Sequence, residues 1–349
     1  MQDTINVGLA SYGMSGRVFH APVLSVVKDF VLYAICERTT NSAQQRYPSV
    51  KLCRSFDELL SIEELSLVVV NTPDHTHYDF CKKALLAGKH VVVEKPFTLR
   101  YAHALDLLAL AEKKKRILSV FQNRRWDNDF ITVQQVLTEQ RLGRLVEMIS
   151  HFDRFRPQPT NTWKEKGVGG TGNIYNLGSH LIDQAIVLFG MPRYVYADIC
   201  KLRDQVEADD YFDVKLYYDN LMVTLKSSYL AKEAGPRFVL HGTNGSFVKY
   251  GYDPQEEALK QGKYPDEQGW GTEEEKYWGQ ITLVDHGKEI QEKVPTIPGN
   301  YCYYYKNIAA AIHKGEKLAV TAHDGAKVIQ LIEAAILSNR EGHKIAVSK

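Results

Sequence analysis

The chain has 349 residues, which is too long for one ordinary domain and fits two. Apolar residues make up 44% of it, enough for sizeable cores, and this excludes a disordered chain. Lys and Arg number 43 and Asp and Glu number 42, so the formal net charge of +1 argues against broad nucleic-acid binding and against a polybasic membrane-surface protein.

Neither a membrane span nor a disulfide framework is expected. No apolar run approaches the ~18–20 residues that a span needs, and no basic stretch leads into an apolar one at the N-terminus. The cysteines are odd in number and never spaced as C-x-x-C; they are Cys36, Cys53, Cys81, Cys200 and Cys302. These features predict reduced thiols in a cytoplasmic protein that acts on a small molecule.

Short apolar runs alternate with helical patterns over the first third of the chain. The predicted strands are Ile5–Leu9, Phe30–Cys36, Lys51–Cys53, Leu67–Asn71, His90–Glu94 and Ile117–Phe121. Ser55 and Glu58 predict a helix that begins with a capping box, and Thr98 is predicted to cap a helix over Leu99–Lys115. Strands that alternate with helices predict a doubly wound parallel sheet with buried strands, in a domain that spans residues 1–122.

Residues 123–349 have a different pattern. A helix is predicted over Phe130–Arg141, and another follows the Gly167–Gly172 loop and ends near Phe189. The predicted strands of this part are Leu145–Phe155, Tyr194–Leu202, Tyr211–Tyr218, Leu221–Tyr229 and Phe238–His241. Because these strands mostly follow one another directly, with a hairpin turn at Asp219-Asn220, they predict a largely antiparallel sheet in an α+β domain.

The end of the second part is predicted to be helical. Residues 250–279 are polar and rich in Gly, Glu and Tyr, and they are predicted to form an ordered excursion or loop. The last two helices are predicted over Tyr301–Lys314 and Thr321–Asn339.

The turn after the first predicted strand carries the first chemical signal. Ser11-Tyr12-Gly13-Met14-Ser15-Gly16 matches the G-x-G-x-x-G pattern except that Ser11 replaces the first glycine. Such a turn brings backbone N–H groups to a pyrophosphate at a helix N-terminus, and its place in a βαβ unit favours dinucleotide binding over an ordinary glycine-rich turn. A positive φ at Ser11 would cost roughly 1–3 kcal/mol.

The end of the second predicted strand bears on the choice of cofactor. Glu37 lies where an acidic residue accepts hydrogen bonds from the adenosine ribose, and its carboxylate would repel a 2′-phosphate. Arg38 follows it and could pair with that phosphate. The sequence therefore predicts NAD or NADP and favours NAD; the alternative is a solvated Glu–Arg pair on a turn.

Two later strand ends carry further candidates. Asn71-Thr72-Pro73 and, after it, His77 follow one predicted strand, and Glu94-Lys95-Pro96 follows the next. Ligands bind outside the carboxyl ends of such strands, so the Lys95 ammonium could donate to a substrate hydroxyl and stabilise an alkoxide. The alternative is a surface lysine. No metal site is expected, because the Asp74-His75-Thr76-His77 segment lacks another paired ligand.

A helix in the second part carries a candidate acid–base group. Asn176, His180 and Asp183 are spaced i, i+4 and i+7, which places them on one face of a regular helix. An imidazole titrates near neutral pH and suits proton transfer from an alcohol. The alternative for His180 is a packing role in the core.

These motifs together resemble the Gfo/Idh/MocA oxidoreductases, a family that includes glucose–fructose oxidoreductase and inositol dehydrogenase. The match runs in consistent order from about Val7 to Ile345, and its most specific segments are Phe19-His20-Ala21-Pro22, Glu94-Lys95-Pro96-Phe97, Asn123-Arg124-Arg125-Trp126-Asp127 and Tyr252-Asp253-Pro254-Gln255-Glu256. The resemblance implies an N-terminal Rossmann domain and a C-terminal α+β domain with an open sheet, the last helices returning toward the first domain. It also implies a homodimer or homotetramer, and oxidation or reduction of a sugar, polyol or related compound with NAD or NADP.

The resemblance also implies roles for individual positions. Lys95 corresponds to the active-site lysine and His180 to the general acid–base group, with Asn176 on the same motif. The residues implied for the cofactor are Ser11, Gly13, Gly16, Glu37, Arg38, Asn71, Thr72, Pro73, His77 and Glu94. Arg125, Trp163 and Asp183 are weaker candidates for the substrate pocket.

One departure from the family pattern affects the expected activity. The helix motif of the family reads Asp-x-Gly-x-His, whereas this chain has Asn176-Leu177-Gly178-Ser179-His180. A neutral Asn can orient a hydroxyl but cannot balance a cationic Lys95 or imidazolium. Asn176 therefore leaves open a non-catalytic binding protein for a nucleotide or sugar. The resemblance leaves open a second alternative, an NAD-dependent glycoside hydrolase that recycles its cofactor.

Overall fold

The computed structural model describes residues 4–160, 162, 165–167, 170–285 and 287–347. The chain forms two units. The first comprises Met1–Trp126, Pro254–Trp270 and Asn300–Ala326, and the second comprises Asp127–Asp253, Gly271–Gly299 and Lys327–Lys349. The first unit therefore draws on three separate segments of the sequence.

A parallel sheet forms the centre of the first unit. Its strands are β1 (Ile5–Leu9), β2 (Phe30–Cys36), β3 (Lys51–Cys53), β4 (Leu67–Val70), β5 (His90–Val93) and β6 (Leu118–Val120). Their order in the sheet is β3-β2-β1-β4-β5-β6, and all the paired strands are parallel. Every residue of β4 is buried, as expected for a strand with both faces covered. The predicted Rossmann-type sheet is confirmed.

A mixed sheet forms the centre of the second unit. Its strands are β7 (Leu145–His151), β8 (Tyr194–Cys200), β9 (Tyr211–Tyr217), β10 (Met222–Ser228), β11 (Phe238–Gly242), β12 (Gly245–Lys249), β13 (Gly279–Asp285), β14 (Lys288–Val294) and β15 (Ile345–Ala346). Their order is β14-β13-β12-β11-β7-β10-β9-β8-β15. Only the β7–β10 pair is parallel among these described strands, so the largely antiparallel sheet is confirmed.

Alternation along the strands gives this second sheet one buried face. Phe212, Val214 and Leu216 of β9 are buried, and the residues between them are only partly covered. The β9–β10 hairpin has Asp219-Asn220 at its turn, where the Tyr218 amide donates to the Leu221 carbonyl at 3.0 Å. The strands β12 to β15 were not predicted. β14 has the sequence KEIQEKV and is exposed over most of its length, so it lacks the apolar alternation that marks a strand.

The described α-helices surround these sheets. They are α1 (Ala21–Val26), α2 (Ser42–Arg46), α3 (Phe56–Leu60), α4 (His77–Leu86), α5 (Tyr101–Lys114), α6 (Asn128–Thr138), α7 (Ser179–Phe189), α8 (Gln255–Lys260), α9 (Cys302–Lys314) and α10 (Ala322–Glu341). The excursion predicted over residues 250–279 contains the short helix α8 and a 3₁₀ turn at Glu275–Tyr277.

Two helix starts test the capping predictions. At α3, the Glu58 amide donates to the Ser55 hydroxyl at 3.1 Å, so the predicted cap is confirmed. At α5, the prediction of Thr98 as the cap is wrong. The cap position is Arg100, and the Thr98 hydroxyl donates to the Arg100 carbonyl oxygen at 2.8 Å.

Candidate active site

The turn that follows β1 is fastened by a side chain from the end of β4. The Ser11 amide donates to Asn71 Oδ1 at 3.0 Å, and Asn71 Nδ2 donates back to the Ser11 carbonyl at 2.8 Å. The Gly13 amide donates to Ser11 Oγ at 3.1 Å. Ser11 therefore closes the turn with its own hydroxyl, in the position where the family pattern has glycine.

The space around the turn fits a dinucleotide pyrophosphate. A Cβ on Gly16 would press against the Ser11 carbonyl oxygen and lie 2.9 Å from Asn71 Nδ2, so only glycine fits there. A Cβ on Gly13 would meet only Ser11 Oγ, at 3.3 Å, so the exposed side of the turn is open to a ligand. The strain considered for Ser11 is absent, because positive φ at described non-glycine residues occurs at Lys115, Gln140 and Gln205.

An aromatic cluster beside the turn was not predicted. Tyr12 is buried, and its ring meets the Tyr47 ring edge-on with the centroids 6.5 Å apart. The Arg46 guanidinium lies over the Tyr264 ring at 4.8 Å, and its Nε donates to the Tyr264 hydroxyl at 2.9 Å. Because Tyr264 is 218 residues from Arg46, no local pattern could have indicated this contact.

Glu37 is turned into the protein at the end of β2. Oε1 accepts from the Thr40 hydroxyl at 2.6 Å and from the Ser42 hydroxyl at 2.5 Å, and Oε2 accepts from the Ala43 amide at 2.8 Å. Burial by itself would raise the pKa of Glu37, but these hydrogen bonds outweigh it and the pKa is lowered. The carboxylate is therefore ionised and engaged at the start of α2, whereas the neighbouring Arg38 is exposed.

The residues after β4 form a tight connection. The Thr72 hydroxyl lies 2.6 Å from the Thr76 hydroxyl, and Pro73 is exposed. His77 is fully buried; its Nδ1 lies 2.8 Å from the Pro96 carbonyl oxygen, and its Nε2 lies 3.0 Å from the Thr72 carbonyl oxygen. His77 thus ties the end of β4 to the end of β5.

Lys95 stands two residues beyond the end of β5. Its amide donates to Glu94 Oε2 at 3.0 Å, and the Lys95-Pro96 peptide bond is cis. The side chain of Lys95 is half-buried, whereas Glu94 and Pro96 on either side are buried. Lys95 and the Ser11–Gly16 turn both follow strands of the same parallel sheet, at its carboxyl edge.

The three weaker candidates for the substrate pocket lie in different parts of the chain. Arg125 donates to the Ala319 carbonyl at 2.7 Å and lies 3.6 Å from the Asp324 carboxylate, so contacts within the first unit orient its guanidinium. Trp163 lies outside the described residues. Asp183 is buried in α7.

The helix that carries His180 begins with a wide turn. Ile174–Gly178 is π-helical, with backbone hydrogen bonds that reach the fifth residue, and α7 starts at Ser179. The predicted helix therefore starts with a π-helical turn, which contains Asn176, and continues as α7 from Ser179. His180 and Asp183 both lie in α7, three residues apart on one face, and both are buried.

Two residues that the sequence did not indicate support this helix. Asn176 Nδ2 donates to the Tyr229 hydroxyl at 3.1 Å. The Ile174 amide donates to Asp209 Oδ2 at 2.8 Å, and the Asn173 amide donates to the Asp209 carbonyl at 2.9 Å. Burial raises the pKa of Asp209 to about 6, although these amides act in the opposite direction.

Other classes of site were also sought. Among the described residues, no group of three or more His, Cys, Asp and Glu side chains is arranged to hold a metal ion. In the same part of the chain, no helix combines the length and the apolar character that a membrane crossing requires. All five cysteines are free thiols.

Comparison with known proteins identifies the family. The model of an oxidoreductase family with an NAD-binding Rossmann fold, Gfo/Idh/MocA, matches residues 5–122, and the model of its C-terminal alpha/beta domain matches residues 134–347. The chain belongs to the Gfo/Idh/MocA oxidoreductase family. The predicted class, an oxidoreductase that uses a nicotinamide cofactor, is thereby confirmed.

Individual relatives are similar over their full length. Scyllo-inositol 2-dehydrogenase (NADP(+)) IolW of Bacillus subtilis is 38% identical over 343 residues, covering 98% of this chain and 96% of that protein. Inositol 2-dehydrogenase of Rhizobium meliloti is 26% identical, covering 99% of this chain and 100% of that protein. The crystal structure of an oxidoreductase from Bacteroides fragilis is 49% identical with a TM-score of 0.90, covering 99% of this chain and 100% of that one.

The role of Asn71 can be tested with Asn71→Ala. The variant loses both hydrogen bonds to the Ser11 backbone, so we expect the dissociation constant of the nicotinamide dinucleotide to rise about 10-fold. Titration followed by cofactor fluorescence measures it. Asn6→Ala is the matched control, because Asn6 lies in β1 and makes one exposed hydrogen bond to the Glu64 carbonyl. Equal affinities in the two variants would contradict the assigned role.

The raised pKa of Asp209 predicts a pH-dependent effect of Asp209→Asn. The folded state holds the Asp209 proton more tightly than the unfolded state does, so wild-type stability falls as pH rises from about 4 to about 6. The variant has no such proton. Between pH 4 and pH 6, we expect the free energy of unfolding of the variant to rise by about 2 kcal/mol relative to that of the wild type. This difference should persist at higher pH.

Denaturant unfolding at several pH values checks this prediction. The control is Asp204→Asn, at an exposed position. Its free energy of unfolding should differ from that of the wild type by the same amount at every pH. A stability difference between Asp209→Asn and the wild type that is constant from pH 4 to pH 8 would exclude a raised pKa at Asp209.

Proposed function

We propose that this protein is an NADP(H)-dependent dehydrogenase that interconverts a secondary hydroxyl and a carbonyl group of a polyol or sugar. The observation that carries the proposal is the position of Lys95, just beyond β5 on the sheet edge that also bears the dinucleotide turn. The substrate class is supported by the two inositol dehydrogenases among the relatives.

The proposed roles follow from the chemistry of each side chain. The nicotinamide supplies the hydride acceptor or donor when it is bound. The Lys95 ammonium donates a hydrogen bond to the substrate oxygen and stabilises its developing negative charge. His180 takes the hydroxyl proton during oxidation and returns it during reduction. Asn176 stays neutral and orients a hydroxyl through its amide.

The surroundings of Glu37 support NADP(H) over the NAD favoured by the sequence. Both carboxylate oxygens of Glu37 already accept from internal donors, two at Oε1 and one at Oε2, which leaves less capacity to accept from ribose hydroxyls. Arg38 is exposed beside them, and Arg54 adds a second guanidinium that donates to the Glu37 and Thr40 carbonyls. Two cations at this strand end favour a 2′-phosphate.

The assembly and location of the protein belong to the same proposal. We propose a homo-oligomer formed through the outer face of the second sheet, which is supported by the exposed apolar side chains of Tyr194 and Met222 on its strands. A cytoplasmic location is supported by the five free thiols.

The proposed reaction predicts large losses in Lys95→Ala and His180→Ala. With NADP⁺ and a panel of inositols and aldoses, absorbance at 340 nm should identify a substrate. We expect each variant to lower kcat on that substrate by roughly 10²–10⁴-fold. Lys113→Ala, an exposed change at the end of α5, should not alter it.

Other outcomes would exclude the dehydrogenase. Unchanged turnover in both variants would remove the proposed roles of Lys95 and His180. Release of nitrophenol from aryl glycosides without net NADPH would indicate the glycoside hydrolase. Tight cofactor binding without turnover across both panels would indicate the non-catalytic binding protein.

The cofactor preference has its own test in Arg38→Ala. Loss of a guanidinium that binds the 2′-phosphate should lower kcat/KM for NADP⁺ by roughly 10-fold and leave the value for NAD⁺ unchanged. The control is Lys28→Ala. It removes an exposed cation that precedes the start of β2, at the end of the strand opposite to Arg38. An equal decrease for both cofactors would contradict the proposed preference.

A further inference from the structure

Three side chains form a buried chain of hydrogen bonds behind Lys95. The Tyr305 hydroxyl lies 2.7 Å from His20 Nδ1, and His20 Nε2 lies 3.0 Å from Glu94 Oε1. The other oxygen of Glu94 accepts from the Lys95 amide at 3.0 Å. His20 and Tyr305 are fully buried, and all four residues belong to the first unit.

The donors and acceptors along this chain can be assigned. Burial raises the pKa of Tyr305 well above its ordinary value, so its hydroxyl keeps its proton and can donate to His20 Nδ1. His20 Nε2–H then donates to Glu94 Oε1, so both ring nitrogens of His20 have a hydrogen-bond partner. The Phe121 ring packs against the imidazole at 4.4 Å between centroids and limits its rotation.

The electrostatic balance keeps Glu94 ionised. Burial by itself would raise the pKa of Glu94, but the hydrogen bond from His20 and the electrostatic interactions with His20, Lys95 and His77 outweigh it, and the pKa is lowered. Burial, together with the negative charge of this carboxylate, raises the pKa values of the Tyr304 and Tyr305 hydroxyls, so both keep their protons. These five titratable residues interact electrostatically with Glu94.

We propose that His20 and Tyr305 are positioning residues for Lys95, because they hold Glu94 as a fixed, buried carboxylate that serves as the counter-charge of the Lys95 ammonium. This inference rests on the proposed function, in which Lys95 binds the substrate oxygen. It also addresses the neutral Asn176, because a negative charge beside Lys95 is supplied here by Glu94, the residue that precedes it in the chain.

The sequence places the participants far apart. His20 belongs to the Phe19-His20-Ala21-Pro22 segment, which lies in a π-helical turn at Gly16–His20 and leads into α1. Tyr305 lies in α9, 285 residues further along the chain. α9 packs against α1 in the first unit, and this contact brings the two side chains together.

The helix α9 offers a matched pair of variants for the test. Tyr305→Phe removes the hydroxyl that donates to His20. Tyr304→Phe removes the adjacent buried hydroxyl, which bonds Ser119 Oγ at 2.8 Å and makes no hydrogen bond to His20. His20→Gln replaces the rigid imidazole, which Phe121 packs against, by a flexible amide that can still donate to Glu94. A merely structural role predicts similar loss of thermal stability and no other effect in Tyr304→Phe and Tyr305→Phe.

The first measurement does not depend on turnover. Competitive acetylation of the full-length protein, followed by mass spectrometry of the Lys95 peptide, gives the pH at which Lys95 is half-reactive. We expect that pH to fall by about one unit in Tyr305→Phe and His20→Gln, because a less firmly held carboxylate stabilises the ammonium less. Tyr304→Phe should match the wild type.

The second measurement is kcat with the identified substrate. We expect Tyr305→Phe to lower kcat about 5-fold and to move its alkaline limb to lower pH, with KM for the cofactor unchanged. The inference would be overturned if Tyr305→Phe and His20→Gln gave the same labelling curves as the wild type and Tyr304→Phe. Absence of wild-type turnover, with the labelling shifts present, would instead overturn the proposed function and leave the charge pairing established.

Discussion

Burial of the central strands on both faces is the constraint on which the first unit depends. β4 is LVVV and β5 ends in three valines, and all of these residues are buried. Such strands leave no room for a polar side chain along their length, so polar groups begin where the strands end. Asn71 and Glu94 occupy these ends; Asn71 fastens the Ser11–Gly16 turn, and Glu94 is held by His20.

Much of the parallel sheet could be predicted because its strands are apolar runs separated by clear helix starts. β1, β2 and β3 have the predicted bounds, β4 and β5 each end one residue earlier than predicted, and β6 is one residue shorter at both ends. The second sheet was harder to predict at its margin. β14 is polar and exposed, and its pairing with β13 depends on a neighbouring strand and not on its own pattern.

In the candidate site, some residues can be located from their own sequence segment, whereas others depend on contacts with distant parts of the chain. The position of Lys95 follows from a strand end, which sequence reveals directly. Tyr305, Tyr264 and Asp209 are separated from the residues they support by long stretches of chain, so only the fold brings them together. The π-helical turn before His180 was also hidden, because a single added residue in a helix leaves the apolar pattern nearly unchanged.

The three-segment composition of the first unit has a consequence for its synthesis. The sheet is complete once Val120 has been made, yet the partners of its side chains arrive much later: Tyr264 for Arg46 and Tyr305 for His20. During synthesis on the ribosome, His20 therefore has no hydrogen bond to Tyr305 until nearly nine-tenths of the chain has been made. A fragment cut near residue 122 would carry the Ser11–Gly16 turn and lack Tyr264 and Tyr305, which complete its core. Lys95 would thus acquire its proposed positioning residue Tyr305 only in the nearly finished protein.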